Sequence, residues 1–165
     1  MFAIPRSNKW QCLPASFSMA CQIPLHIFMR ELGHDGDKRP YPDPDKRAGF
    51  HVQECIDVAY RFGYTCTPIE RCPALTHTPG SLDVYPIYFG LNELSNDFRF
   101  YNYLLESTHS VLEVLLGREN HTKIGHAVAC DGDFIHDPRG YLFPISDLVQ
   151  RNYMPHTLWI IGGVS

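Results

Sequence analysis

The sequence has no excess of basic charge. Its 14 Lys and Arg stand against 18 Asp and Glu, for a formal charge of −4. That excludes nucleic-acid binding through a basic surface, and no run of like charges forms a tail. No stretch reaches the length of a membrane span. The first twelve residues, MFAIPRSNKWQC, hold no basic head followed by an unbroken apolar run, as a secretion signal would. A soluble, cytoplasmic protein that touches no membrane is the expectation. No glycine-rich loop follows a strand pattern, so nucleotide binding has no support. Internal repeats and low-complexity segments are also absent.

The six cysteines, Cys12, Cys21, Cys55, Cys66, Cys72 and Cys130, include no C-x-x-C pair. An even count permits disulfides, but the chain is not short and shows no export signal. The cysteines therefore read mostly as reduced thiols. Cys66, Cys72 and His77 follow a spacing that matches no common zinc pattern. Neither a metal nor a cofactor is expected.

What is present suits one domain. The 165 residues are 44% apolar and 19% charged, enough for a sizeable core. The 13% aromatic share predicts a ring-rich core or cleft. The spacing predicts a helix over 12–22, with Pro14 in a first turn that needs no N–H from it. A second helix follows Pro24, with Leu25, Phe28, Met29 and Leu32 on one face and Gly33 as its stop. Residues 34–49 are rich in Pro, Asp and Gly and read as a surface loop. A third helix places Val52, Ile56, Ala59 and Tyr60 on its apolar side and ends at Gly63.

Beyond Gly63 the pattern changes. YTCTPIE and DVYPIYFG read as strands. SNDFRFYNYLLES reads as a fourth helix, and Phe98, Tyr101 and Tyr103 in it as core and cleft wall. HSVLEVLLG and GHAVACDG are β-rich. A tight Asp131–Gly132 turn makes a hairpin of the runs on either side of it. SDLVQRN reads as a short helix and HTLWIIGG as a closing strand. Helices first and strands after predict an α+β fold with an antiparallel sheet. The helical part covers about 1–63 and the sheet part about 64–165 of a single domain.

The chemistry concentrates at two places. Cys12 opens a helix, where partial positive charge and N–H groups favour a thiolate and lower a cysteine's pKa. The same N–H groups can hold an oxyanion. Far downstream, His126 opens a strand after Gly125, whose missing side chain leaves room for a substrate backbone. Asp137 ends the returning strand near the level of His126, where a carboxylate orients an imidazole and stabilises imidazolium. His126, Val128 and Cys130 share one strand face, with Ala127 and Ala129 on the other. Cys12, His126 and Asp137 form a candidate catalytic triad. Cys21, nearly three turns further along, reads as an inert core thiol. His136 points away from the Asp137 side. His34 and Asp35 lie in a turn shaped by Gly33 and Gly36, and His51 stands near a helix start.

QCLPASFSMA followed by GHAVACDGDFIHDPRG resembles the papain-like cysteine peptidases. It is most similar to those that process bacteriocin leaders at double-glycine sites and to their small phage and bacterial relatives. The matching residues are Cys12, Pro14 and Ala15, then Gly125, His126 and Val128, then Asp137 with Pro138. ELGHDG and GFHVQECIDVAYRFGYTCTPIE are also similar to the phage-encoded members. The resemblance implies a papain-like fold, with a helical part packed on a sheet and a cleft between them. It implies hydrolysis of a peptide or isopeptide bond in a protein or peptide substrate, through an acyl-enzyme. For a phage-encoded protein it implies the host cytoplasm. One departure stands out. Such enzymes place an oxyanion-hole glutamine several residues before the cysteine, and Arg6 stands there. The amides within reach are Gln11 and Asn8. Without either, the loss is roughly 3 kcal/mol of transition-state stabilisation.

Two other readings stay open on the sequence. The triad also suits an acyltransferase of the transglutaminase or arylamine N-acetyltransferase type. A peptidase-like domain can also serve only as a binding module. The oligomeric state is not legible.

Overall fold

The computed structural model describes residues 10–36, 49–70, 112–119, 125–148, 151 and 153–163. Three helices come first: α1 (Cys12–Ala20), α2 (Leu25–Leu32) and α3 (Val52–Arg61). Six strands follow: β1 (Tyr64–Glu70), β2 (Leu112–Glu119), β3 (Gly125–Cys130), β4 (Phe134–Asp137), β5 (Tyr141–Pro144) and β6 (Tyr153–Gly163). They form one sheet in the order β1-β6-β2-β3-β4-β5, with every neighbouring pair antiparallel. The α+β expectation is met. The predicted strand DVYPIYFG, the fourth helix, Cys72, His77, Arg6 and Asn8 lie outside the described residues, as does most of the 34–49 loop.

Local chemistry explains the helices. Pro14 sits in the first turn of α1, where no helical bond is lost, and Ala15 N–H makes the bond back to the Gln11 carbonyl at 3.0 Å. Seven consecutive residues of α1, Pro14 to Ala20, are buried. Such a helix is covered on all sides. Helix α2 stops at Gly33, which takes the left-handed conformation at φ 76° that glycine adopts without a Cβ clash. Of its predicted face only Phe28 is fully buried, while Ile27 and Leu32 pack at the margin of the core.

Alternation along the strands sorts the core into two clusters. Val114 and Ile161 join Phe17, Ala20, Cys21, Phe28, Cys55, Val58 and Ala59 on the helix side of the sheet. Leu115, Val128, Cys130, Ile135, Phe143, Leu148, Tyr153 and Leu158 form the second cluster on the opposite side. Ala129 is the cross-strand partner of Val114, so Ala127 and Ala129 face the helices. Helix α1 packs against β3 there, because alanine methyl groups let a helix come close.

The structure departs from expectation at three places. Tyr60 is 73% exposed, and the buried stripe of α3 is Cys55, Val58 and Ala59. A tyrosine at the edge of the stripe keeps its hydroxyl in water. Of SDLVQRN, residues 149, 150 and 152 lie outside the described residues; the described part opens with a 3-10 turn over Ile145–Asp147 rather than an α-helix, after which Leu148 closes the second cluster. Strand β5 carried no clear sequence signal, because Tyr141 and Leu142 are both exposed and break the alternation. Among the described residues, no helix is long and apolar enough to cross a membrane.

Candidate active site

Each part of the site is set by an element already described. Cys12 is the first residue of α1 and is half-buried. Its thiol lies close enough to the His126 ring to raise the ring's proton affinity. His126 is the second residue of β3 and only 8% exposed. Its Nε2 lies 3.1 Å from Asp137 Oδ2. That leaves Nδ1 for Cys12. Asp137 ends β4 and is 1% exposed. The β3–β4 ladder pairs Ala129 with His136, so Asp137 stands diagonal to His126 rather than directly across. A diagonal neighbour on the same face is within side-chain reach. The hairpin brings residue 137 to 126, and the packing of α1 on β3 brings residue 12 near them.

The electrostatics follow from burial and contacts. Burial alone would lower the pKa of His126, but its bonds to Asp137 and Cys12 and their charges push it up to about 9. Burial alone would raise Asp137. Its bonds to His126 and Arg139 instead hold it well below the usual carboxylate range. The pair is therefore imidazolium and carboxylate at neutral pH, an arrangement that favours a thiolate at Cys12. The other described thiols behave differently. Burial pushes Cys21 up to about 12 and Cys66 up to about 11, and drives Cys55 and Cys130 well above the ordinary value. None of the five described cysteines is in a disulfide.

Two supporting residues were not singled out by the sequence reading. Tyr153 Oη lies 2.8 Å from the His126 carbonyl and 3.1 Å from the Leu115 carbonyl, so its single proton is shared between two acceptors. Its ring meets the His126 ring edge-on at 6.3 Å between centroids. Tyr153 reaches this face because of a bulge in β6. Leu116 pairs with Thr157 but Gly117 pairs with Pro155, leaving position 156 as the extra residue. One extra residue inverts the alternation, so Tyr153 and Leu158 share a cluster although they stand five positions apart, an odd step. Arg139 was visible only as the third letter of DPRG. Its main-chain N–H and its guanidinium both bond the Asp137 carboxylate.

The remaining candidates separate cleanly. Gln11 is buried at the N-cap of α1, one residue before Cys12, without a side-chain bond that caps the helix. Asn8 lies outside the described residues. Gly125 is exposed, and a Cβ there would meet nothing closer than the Gly117 carbonyl at 4.0 Å. Packing does not demand glycine at that position. His136 bonds Asp131 at 2.7 Å and so ties β4 to the hairpin turn. His34 Nδ1 accepts from Gly36 N–H, and the ring stacks on Phe50. Among the described residues no group of three His, Cys, Asp or Glu is arranged to hold a metal ion.

The sequence matches no protein-family model and no curated protein. Among solved structures, the chain is similar to a double glycine motif protease from an AMS/PCAT transporter, solved in complex with the leader peptide. The TM-score is 0.57 at 14% identity, over 99% of this chain and 91% of that one. At that identity the likeness is one of fold, and the fold is papain-like α+β.

Proposed function

We propose that this domain is a cysteine peptidase-like hydrolase, with Cys12 as nucleophile, His126 as acid and base, and Asp137 as the group that orients and charges the imidazole. The observation that carries this reading is His126, bonded to Asp137 at 3.1 Å and coupled to the Cys12 thiol at the start of a buried helix. A thiolate held by imidazolium attacks the carbonyl carbon of a peptide or isopeptide bond. The electron pair moves to the carbonyl oxygen, beside the N–H groups of the α1 N-terminus. Gln11 is the side-chain amide proposed to share that charge, and Asn8 is the second candidate. The intermediate collapses, the C–N bond breaks, and His126 gives its proton to the departing amine. Neutral His126 then takes a proton from water, whose oxygen attacks the acyl carbon; the C–S bond breaks, the acid leaves, and Cys12 returns as thiolate beside imidazolium.

The fold neighbour acts at a double-glycine motif and binds a leader peptide. By that likeness the proposed substrate is a peptide with small residues at the cleaved bond, and Gly125 leaves space for its backbone.

The test is alkylation of the protein by iodoacetamide at pH 6, with mass spectrometry to locate the label. Cys12 is expected to react at least tenfold faster than Cys21, Cys55, Cys66 or Cys130, because a thiolate rather than a thiol is the nucleophile. The Cys12→Ser variant is expected to lose cleavage of a Gly–Gly peptide. Equal labelling of all thiols would sink the reading.

A further inference from the structure

The turn after β4 places a permanent cation against the Asp137 carboxylate. Arg139 donates its main-chain N–H to Asp137 Oδ1 at 2.8 Å, and its Nε lies 3.1 Å from each carboxylate oxygen. Its Nη2 bonds Oδ2, the same oxygen that faces His126 Nε2. One carboxylate oxygen therefore serves two cationic partners. The other described groups around His126 are Cys12 from α1, Tyr153 from β6 and Asp137 from β4, and β2 presents Gly117 opposite it.

A carboxylate already bonded to a guanidinium is a weaker base and a weaker partner for imidazolium. We propose that Arg139 is a positioning residue that sets the basicity of His126 through Asp137. It keeps the buried carboxylate ionised and limits how tightly His126 holds its proton. The inference rests on the catalytic reading above, because a histidine bound too firmly as imidazolium is a poor proton donor to a leaving amine. The main-chain bond from residue 139 survives a change of side chain. Substitution there removes charge while Asp137 keeps an anchor. The Arg139 side chain is 31% exposed on a turn, so the fold tolerates the change.

The experiment is an NMR titration of the His126 ring, assigned by loss of its signal in His126→Gln, alongside the pH profile of Cys12 alkylation. Arg139→Gln is expected to raise the proton affinity of His126 about tenfold and to move the His126 step of the alkylation profile to higher pH. Arg139→Lys keeps the charge but loses the fork, and is expected to shift His126 clearly less than Arg139→Gln does. An unchanged or lower His126 affinity in Arg139→Gln overturns the proposal. So does Arg139→Lys shifting as far as Arg139→Gln, since charge would then not be the cause. The catalytic reading fails by a different sign, equal labelling of all thiols in the parent protein. The His126 titration still reports on Arg139 in that case.

Discussion

At the scale of single residues, the site depends on groups that are buried yet charged. Tyr153 anchors the main chain of His126 through one hydroxyl. Tyr153→Phe keeps the ring and removes that bond, at a cost of about 1 kcal/mol. The expected result is a slightly lower melting temperature and slower Cys12 alkylation. Glu113 is a second buried acid, with no role in the proposed chemistry. It is 1% exposed, neither carboxylate oxygen has a hydrogen-bond partner, and burial pushes its pKa up to about 7. The folded state therefore binds a proton more tightly than the unfolded chain does. Stability falls as pH rises from 4.5, the ordinary value, through about 7, by about 3 kcal/mol. Glu113→Gln is expected to match the parent in thermal melts near pH 4 and to exceed it at pH 8.

At the scale of elements, the contact of α1 with β3 brings Cys12 to His126. That contact needs Ala127 and Ala129, which are 2% and 0% exposed. Ala129→Leu is expected to overfill the interface, destabilise the protein by about 1–3 kcal/mol, and push α1 away. Calorimetry measures the first effect. A fall in Cys12 alkylation at pH 6, beyond any loss of folded protein, measures the second. The bulge in β6 is the other decisive element, since it turns Tyr153 toward His126. Deleting residue 156 is expected to return β6 to regular alternation and to slow Cys12 alkylation further than Tyr153→Phe does.

At the scale of the whole molecule, several titrations set one stability profile. Asp137 has a lowered folded pKa, so its contribution is present above its ordinary value of 3.8 and is lost as pH falls through the folded value. His126 has a raised one, so its contribution is complete below 6.5 and is lost as pH rises through about 9. Glu113 weakens the fold above 4.5, and the raised thiols Cys21 and Cys66 weaken it again above 9. Together these place the maximum near about pH 4, between the ordinary values of Asp137 and Glu113. Melting temperatures across the pH range are expected to peak there and to decline on both sides. A maximum at pH 8 would contradict the assignment of Glu113 and His126.

The sequence by itself determined the helix-then-strand order, the α1 start at Cys12 and the hairpin that returns from His126 to Asp137. These are local matters. Proline in a first turn, glycine after a helix and alternation across a short turn act over a few residues. Such signals read directly from neighbouring letters. Cys12 and Asp137 were legible because each sits at the end of an element. Arg139 and Tyr153 were not, because their roles depend on what lies across space from them. The β6 bulge inverts the alternation that sequence reading relies on. Tyr60 looked like core because helical spacing marks a stripe but not its edges, and only packing against β1 and the other helices decides where burial stops. Tertiary structure alone decided that residue 12 faces residue 126, since nothing local to either one specifies which helix end lies over which strand.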